Sequence, residues 1–238
     1  MIDKKITFFY QAGRLEKINS NEPYAKEMFY GYHYFSKKYE SVKIIEFMPI
    51  NSKIKKFFRN KIEKKISNIF KLPIYWTYMV TNENKKIIRD SDYVVFNNNR
   101  IGASVTPILF WNNLRKRKQA VSLCFVLGLF SRKTKFKFLM IFHNLYIKLI
   151  LKNVDKFIFL SEGELNFAKN KFSKYKNKFT LIPFAVDLQI WKAQKYDKRD
   201  ILFVGNDGFR DFKLVEDIVN SHPEINFSIV SELIKKEN

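Results

Sequence analysis

The chain has 238 residues, 46% of them hydrophobic and 17% aromatic, so it can bury a sizeable core and is not globally disordered. Its 44 basic and 23 acidic residues give a formal charge of +21, a field that suits anionic partners such as nucleotide diphosphates or anionic lipid head groups. The single cysteine, Cys124, excludes an intrachain disulfide and lies in an apolar run that reads as buried, and the three histidines, His33, His143 and His222, lack metal-ligand spacing.

Six short runs rich in Val, Ile and Phe read as strands covered on both faces: Ile6 to Tyr10, Val42 to Phe47, Tyr93 to Asn97, Ala120 to Leu127, Lys156 to Ser161 and Phe179 to Ile182. Helix-length segments alternate with them, near Tyr24–Lys38, Ser52–Lys71, Ile74–Arg89, Ser104–Lys116, Thr134–Lys152 and Glu162–Phe172. Such alternation predicts an α/β domain with a Rossmann-like parallel sheet over residues 1–187 and helices on both faces. A polar linker, 188–199, precedes a second, partial βαβ unit over 200–238, with strand Asp200–Val204, helix Arg210–Asn220 and strand Asn226–Val230. The N-terminal apolar run is too short for a signal peptide, and the longest apolar window, Ala120 to Phe130, falls short of the ~20 residues that span a bilayer. The chain is expected to be cytoplasmic, free or held peripherally at a membrane.

Two stretches carry chemistry. Beyond the first strand, where open α/β sheets bind ligands, come Gly13, which permits close backbone approach, and Arg14, a fork for phosphate or carboxylate. The run Pro23-Tyr24-Ala25-Lys26-Glu27-Met28-Phe29-Tyr30-Gly31 follows. Near the other end, Ile182-Pro183-Phe184-Ala185-Val186-Asp187 leads through Trp191 and the linker to the strand Ile201–Val204, then to Gly205-Asn206-Asp207-Gly208 and a helix carrying Arg210 and Lys213. A strand feeding a Gly-containing loop and a helix N-terminus presents backbone N–H groups to phosphate oxygens.

Both stretches resemble GT-B glycosyltransferases of the family 4 type, which build bacterial surface polysaccharides: the first resembles their opening helix, the second their inter-domain hinge. The resemblance implies a retaining hexosyl transfer from a nucleotide-diphospho-sugar to a saccharide or lipid-linked acceptor, without cofactor or metal. It implies that Gly13, Arg14 and Glu27 face the acceptor and that Gly205, Arg210 and Lys213 hold the donor diphosphate. Asn206 stands where the family has an arginine, and Arg210, one turn on, is the expected substitute. The family's later Glu-containing signature falls beyond Asn238. The expectation is therefore a donor half cut short, inactive alone, or completed by a second polypeptide; the alternative is a non-catalytic Rossmann-like binding protein.

The charge has one further reading. Over Ser52–Lys71, residues Ile54, Phe58, Ile62, Ile66 and Ile69 form an apolar stripe at helical spacing, amid many lysines and one acidic residue, Glu63. The stripe is expected to cover the sheet while Lys55, Lys56, Lys64 and Lys65 face an anionic membrane. No RNA- or DNA-binding motif accompanies the charge, so nucleic acid is not an expected partner.

Overall fold

A computed structural model describes residues 3–20, 22–47, 52–134, 136–192, 200–205 and 211–231. The chain divides into two compact units, Met1–Trp191 and Lys192–Asn238.

The first unit runs β1 (Ile6–Tyr10), α1 (Arg14–Asn19), a 3₁₀ turn (Lys26–Phe29), α2 (Tyr32–Lys38), β2 (Val42–Glu46) and α3 (Lys53–Phe57). A π-helical stretch (Phe58–Glu63) leads into α4 (Lys64–Phe70), then α5 (Trp76–Met79), α6 (Asn82–Asp90), β3 (Tyr93–Phe96) and α7 (Asn99–Leu114). There follow β4 (Val121–Val126), α8 (Lys137–Asn153), β5 (Lys156–Phe159), α9 (Glu162–Lys171), a 3₁₀ segment (Ser173–Lys178) and β6 (Phe179–Leu181). The six strands form one parallel sheet in the order β2-β1-β3-β4-β5-β6. Ile6 of β1 sits opposite Val42 on one side and Tyr93 on the other, so the chain reverses its direction of travel across the sheet between β1 and β3. That crevice, beyond the carboxyl ends of the strands, is where such sheets take ligands.

Period-two alternation divides the strand side chains between two cores. Phe9, Phe96, Cys124, Val126, Phe157 and Phe159 join Ile101, Leu109, Ile147 and Ile150 on one face, under helices α4 to α9. Phe8, Tyr10, Val95, Phe125 and Ile158 face the other side, against Phe29 and the half-buried Tyr30, Tyr32 and Phe35. The cover is unequal. On the second side an apolar groove of about 360 Å³ runs between Phe8, Tyr30, Phe125, Ile158 and Ile182.

Several helices depart from the sequence pattern for identifiable reasons. The expected helix Tyr24–Lys38 breaks at Tyr30 and Gly31, whose φ values are 46° and 90°. The break lets Phe29 enter the core while Tyr30 packs on Phe125, ring centroids 4.3 Å apart. Ile74–Arg89 splits because Thr81 caps α6, its hydroxyl accepting from Asn84 N–H at 3.0 Å. Helix α7 starts five residues earlier than expected, at Asn99, where the Asn98 side chain accepts from the N–H groups of Arg100 and Ile101. Pro107 inside α7 cannot donate to Ala103. The orphaned carbonyl accepts instead from the Tyr146 hydroxyl at 2.7 Å, and that oxygen takes the Trp76 indole N–H at 2.9 Å.

The largest correction concerns the 53–70 segment. Its apolar stripe meets the core only at its end: Ile66 packs there with Phe70, but Ile54 is 81% exposed, and Phe58, Ile62 and Ile69 also face solvent. Instead Glu63 is fully buried. Its carboxylate accepts from Arg59 at 2.6 Å and from both the N–H and the hydroxyl of Thr77, at 2.7 and 2.6 Å. The Arg59 guanidinium lies over the Tyr75 ring, 4.1 Å from its centroid. The buried carboxylate ties this face inward, because turning it to solvent would leave the Thr77 N–H and the Arg59 guanidinium without their partner.

In the second unit, β7 (Asp200–Val204) and β8 (Asn226–Val230) pair in parallel, joined by α10 (Phe212–Ser221). No residue of α10 is buried, as a lone βαβ unit with two strands dictates.

Candidate functional site

The crevice at the carboxyl end of β1 brings both sequence-singled stretches of the first unit together. Gly13, at φ 96°, turns the chain into α1. The conformation is what demands glycine there, since open space surrounds the position a Cβ would take. The N–H groups of Gly13, Arg14 and Leu15 converge on one carboxylate, Glu46 at the end of β2. The chain thus supplies its own anion to this loop, a partner that sequence reading missed; its only signal is an acidic residue ending the strand beside β1. The Arg14 guanidinium lies over the Phe29 ring, 5.7 Å from its centroid, in a residue that is half-buried. The Tyr10 hydroxyl donates to the Phe29 carbonyl, and burial drives that phenol's pKa up despite the nearby Arg14.

Glu27 joins the two stretches. Its Oε1 accepts from the Trp191 indole N–H at 2.7 Å across 164 residues of sequence, and its Oε2 accepts from the Asp187 N–H at 3.2 Å. Asp187 in turn shapes its own turn: its carbonyl accepts from Ile190 and Trp191, and Oδ1 accepts from Gln189 N–H at 3.0 Å. Its other oxygen, Oδ2, has no hydrogen-bond partner among the described residues and faces Lys26 Nζ at 3.9 Å. Lys26 also donates to the Gln189 side chain at 3.1 Å. Around this joint lies an open depression of about 520 Å³, lined by Lys26, Glu27, Gly31, His33 and the turn Ala185–Gln189. Burial, with Lys26 and Lys37 nearby, holds the His33 pKa below its ordinary value, so the imidazole is neutral at pH 7. The lining offers two carboxylates, one ammonium, one neutral imidazole and one amide. That mixture suits a neutral, many-hydroxyl ligand, because carboxylates and amide oxygens accept from hydroxyls and the ammonium donates to them.

The residues expected on the donor side fall in the second unit. Gly205 is buried, and its N–H extends the β7–β8 ladder by donating to Val230 O at 3.0 Å. Lys213 is exposed in the first turn of α10, whose N-terminus is capped by Asp211, with Oδ1 accepting from Leu214 N–H at 3.1 Å. Arg210 lies outside the described residues, as do Asn206 to Gly208. Lys55, Lys56, Lys64 and Lys65 are all exposed. Among the described residues no three His, Cys, Asp or Glu side chains converge as a metal site, and no helix is long and apolar enough to cross a membrane.

No protein-family model and no curated protein sequence matches the chain. Among solved structures it is similar to MnaA from S. aureus in a co-structure with UDP, with 13% identity and a TM-score of 0.48, covering 98% of this chain and 62% of that one. It is also similar to UGT71G1 from Medicago truncatula complexed with UDP-glucose, with 11% identity and a TM-score of 0.47, covering 98% of this chain and 67% of that one.

Proposed function

We propose that the chain belongs to a nucleotide-sugar-dependent glycosyltransferase of the GT-B, family 4 type, and that its first unit forms the acceptor side. The observation that carries this reading is the Glu27 joint. The two segments with the family's sequence character, 23–31 and 182–191, meet through Glu27, Asp187 and Trp191 and together line a saccharide-sized depression. Asp187 Oδ2 there has acceptor capacity that no donor among the described residues uses.

In the reaction, the bond from the anomeric carbon to the donor diphosphate breaks, a bond to an acceptor oxygen forms, and the acceptor hydroxyl passes its proton to the departing diphosphate. Lys213 and Arg210 take the diphosphate as it leaves, through charge-assisted hydrogen bonds and without a metal. Arg14 sits on the acceptor side, and the acceptor is a saccharide or a lipid-linked saccharide in surface polysaccharide assembly. The reading keeps the chain in the cytoplasm.

Calorimetric titration of the 238-residue protein with UDP, GDP, UDP-linked hexoses and short oligosaccharides tests the reading. Saccharide binding is expected to weaken at least about tenfold in Asp187→Asn and Glu27→Ala, the effect of losing one charge-assisted hydrogen bond. Nucleotide binding is expected to be weak, indifferent to the base and lost in Arg210→Ala. An absence of heat with every nucleotide sugar and every saccharide would overturn it.

A further inference from the structure

The residues that fail to cover the sheet form a surface of their own. On α8, Phe138, Ile141, Phe142 and Leu145 recur at three- and four-residue spacing on the exposed side, with Phe138 63% exposed. The opposite side of the same helix buries His143, Ile147 and Ile150. On the 53–70 segment, Ile54, Phe57, Phe58 and Ile62 face solvent. The two stretches are joined: the Phe70 ring meets Phe142 edge-on at 5.8 Å, and His143 Nδ1 donates to the Phe70 carbonyl at 2.8 Å.

We propose that this joined surface is a docking face for an anionic lipid bilayer, with the α8 stripe entering the boundary between head groups and acyl chains. The charge pattern selects that occupant. Exposed lysines stand beside the apolar residues, Lys137 and Lys148 on α8 and Lys55, Lys56, Lys64 and Lys65 on the other segment. The only acidic residue on either segment, Glu63, is fully buried. Protein–protein interfaces are depleted in lysine, and a second copy would set one +21 chain against another. Phosphate head groups match the lysines, and an amphipathic helix with a basic polar side and a Phe/Leu apolar side is the pattern that lies in a membrane interface. The lysines alone would give attachment that salt releases completely; an inserted apolar stripe holds on after the charges are screened.

Sedimentation with phosphatidylglycerol vesicles tests this without nucleotide or sugar, so its outcome is separate from that of the glycosyltransferase reading. The protein is expected to pellet at low salt and to remain partly bound at about 0.5 M salt, where the Debye length is only a few ångströms. Phe138→Ser/Ile141→Ser/Leu145→Ser should lose the salt-resistant fraction and bind at least about tenfold more weakly, with unchanged circular dichroism. The quadruple change of Lys55, Lys56, Lys64 and Lys65 to Glu should remove most of the salt-sensitive binding while leaving the apolar stripe and its salt-resistant fraction intact. Three results would each overturn the proposal: wild-type binding by the triple variant, equal pelleting with phosphatidylcholine vesicles, or a lipid-indifferent dimer that the triple variant dissolves.

Discussion

Helix α7 and the 53–70 segment border the same core and are oriented by opposite rules. In α7 the apolar side chains Ile101, Val105, Ile108 and Leu109 face inward, and the two hydroxyls buried with them are satisfied within the helix: that of Ser104 donates to the Arg100 carbonyl and that of Thr106 to the Gly102 carbonyl. In the 53–70 segment a carboxylate faces inward and Ile54 faces out. The difference teaches that apolar periodicity orients a helix only where no buried ionic network specifies another face. One stranded charge outweighs several half-exposed isoleucines.

Breaking the network is the most severe test. Glu63→Ala leaves Arg59 and the Thr77 N–H without their partner and is expected to destabilise the first unit by about 3–5 kcal/mol in urea unfolding. A loss under about 1 kcal/mol would mean that water serves these groups as well as the carboxylate does.

On the α7 side, Tyr146→Phe removes the hydroxyl that mends the gap at Pro107. Both the Ala103 carbonyl and the Trp76 indole N–H lose a partner, and the expected cost is about 1–3 kcal/mol. If the variant melts with the wild type, Pro107 needs no such repair.

A smaller effect, visible only with pH, belongs to His143. Burial holds its pKa below the ordinary 6.5, so the folded protein binds that proton more weakly than the unfolded chain. Its contribution is complete above pH 6.5 and lost as pH falls through the lowered folded value. His143→Asn keeps an N–H donor for the Phe70 carbonyl and removes the proton site, so the acid limb of the stability curve should flatten. Parallel limbs for the two proteins would assign the acid sensitivity elsewhere.

The smallest expected change sharpens the comparison most directly. Ile54→Ser should alter stability by less than about 0.5 kcal/mol, whereas a residue packed on the sheet would lose several times that.

These helices also mark where the sequence stops being legible. The six strands of the first sheet are readable, most clearly the central ones, where residues such as Phe8, Phe9 and Phe157 are buried and leave unbroken apolar runs. The orientation of 53–70 is not readable, because a lone Glu among lysines looks like a solvated residue until Arg59 and Thr77 are found beside it. The break at Tyr30 and Gly31 was signalled by the glycine but masked by the strong aromatic pattern around it. At the candidate site, the family resemblance drew attention to Glu27 and to the turn at Asp187. It gave no hint that Glu27 bonds Trp191, since a contact spanning 164 residues has no local signature. Glu46 was illegible for the same reason: parallel pairing alone sets it against the Gly13 loop.

The close approach of α7 to β4 offers a way to time the opening of this fold. A Cβ on Gly102 would collide with Cys124 Sγ, so the thiol is sealed between helix and strand, and burial pushes its pKa up to about 12. As the chain's only sulfhydryl, it is inert while that seam is shut and turns into ordinary thiolate chemistry once the seam parts. The rate of alkylation by a thiol reagent therefore counts openings of the helix–strand seam, with no label introduced, and the same clock reads how each substitution above speeds or slows that parting.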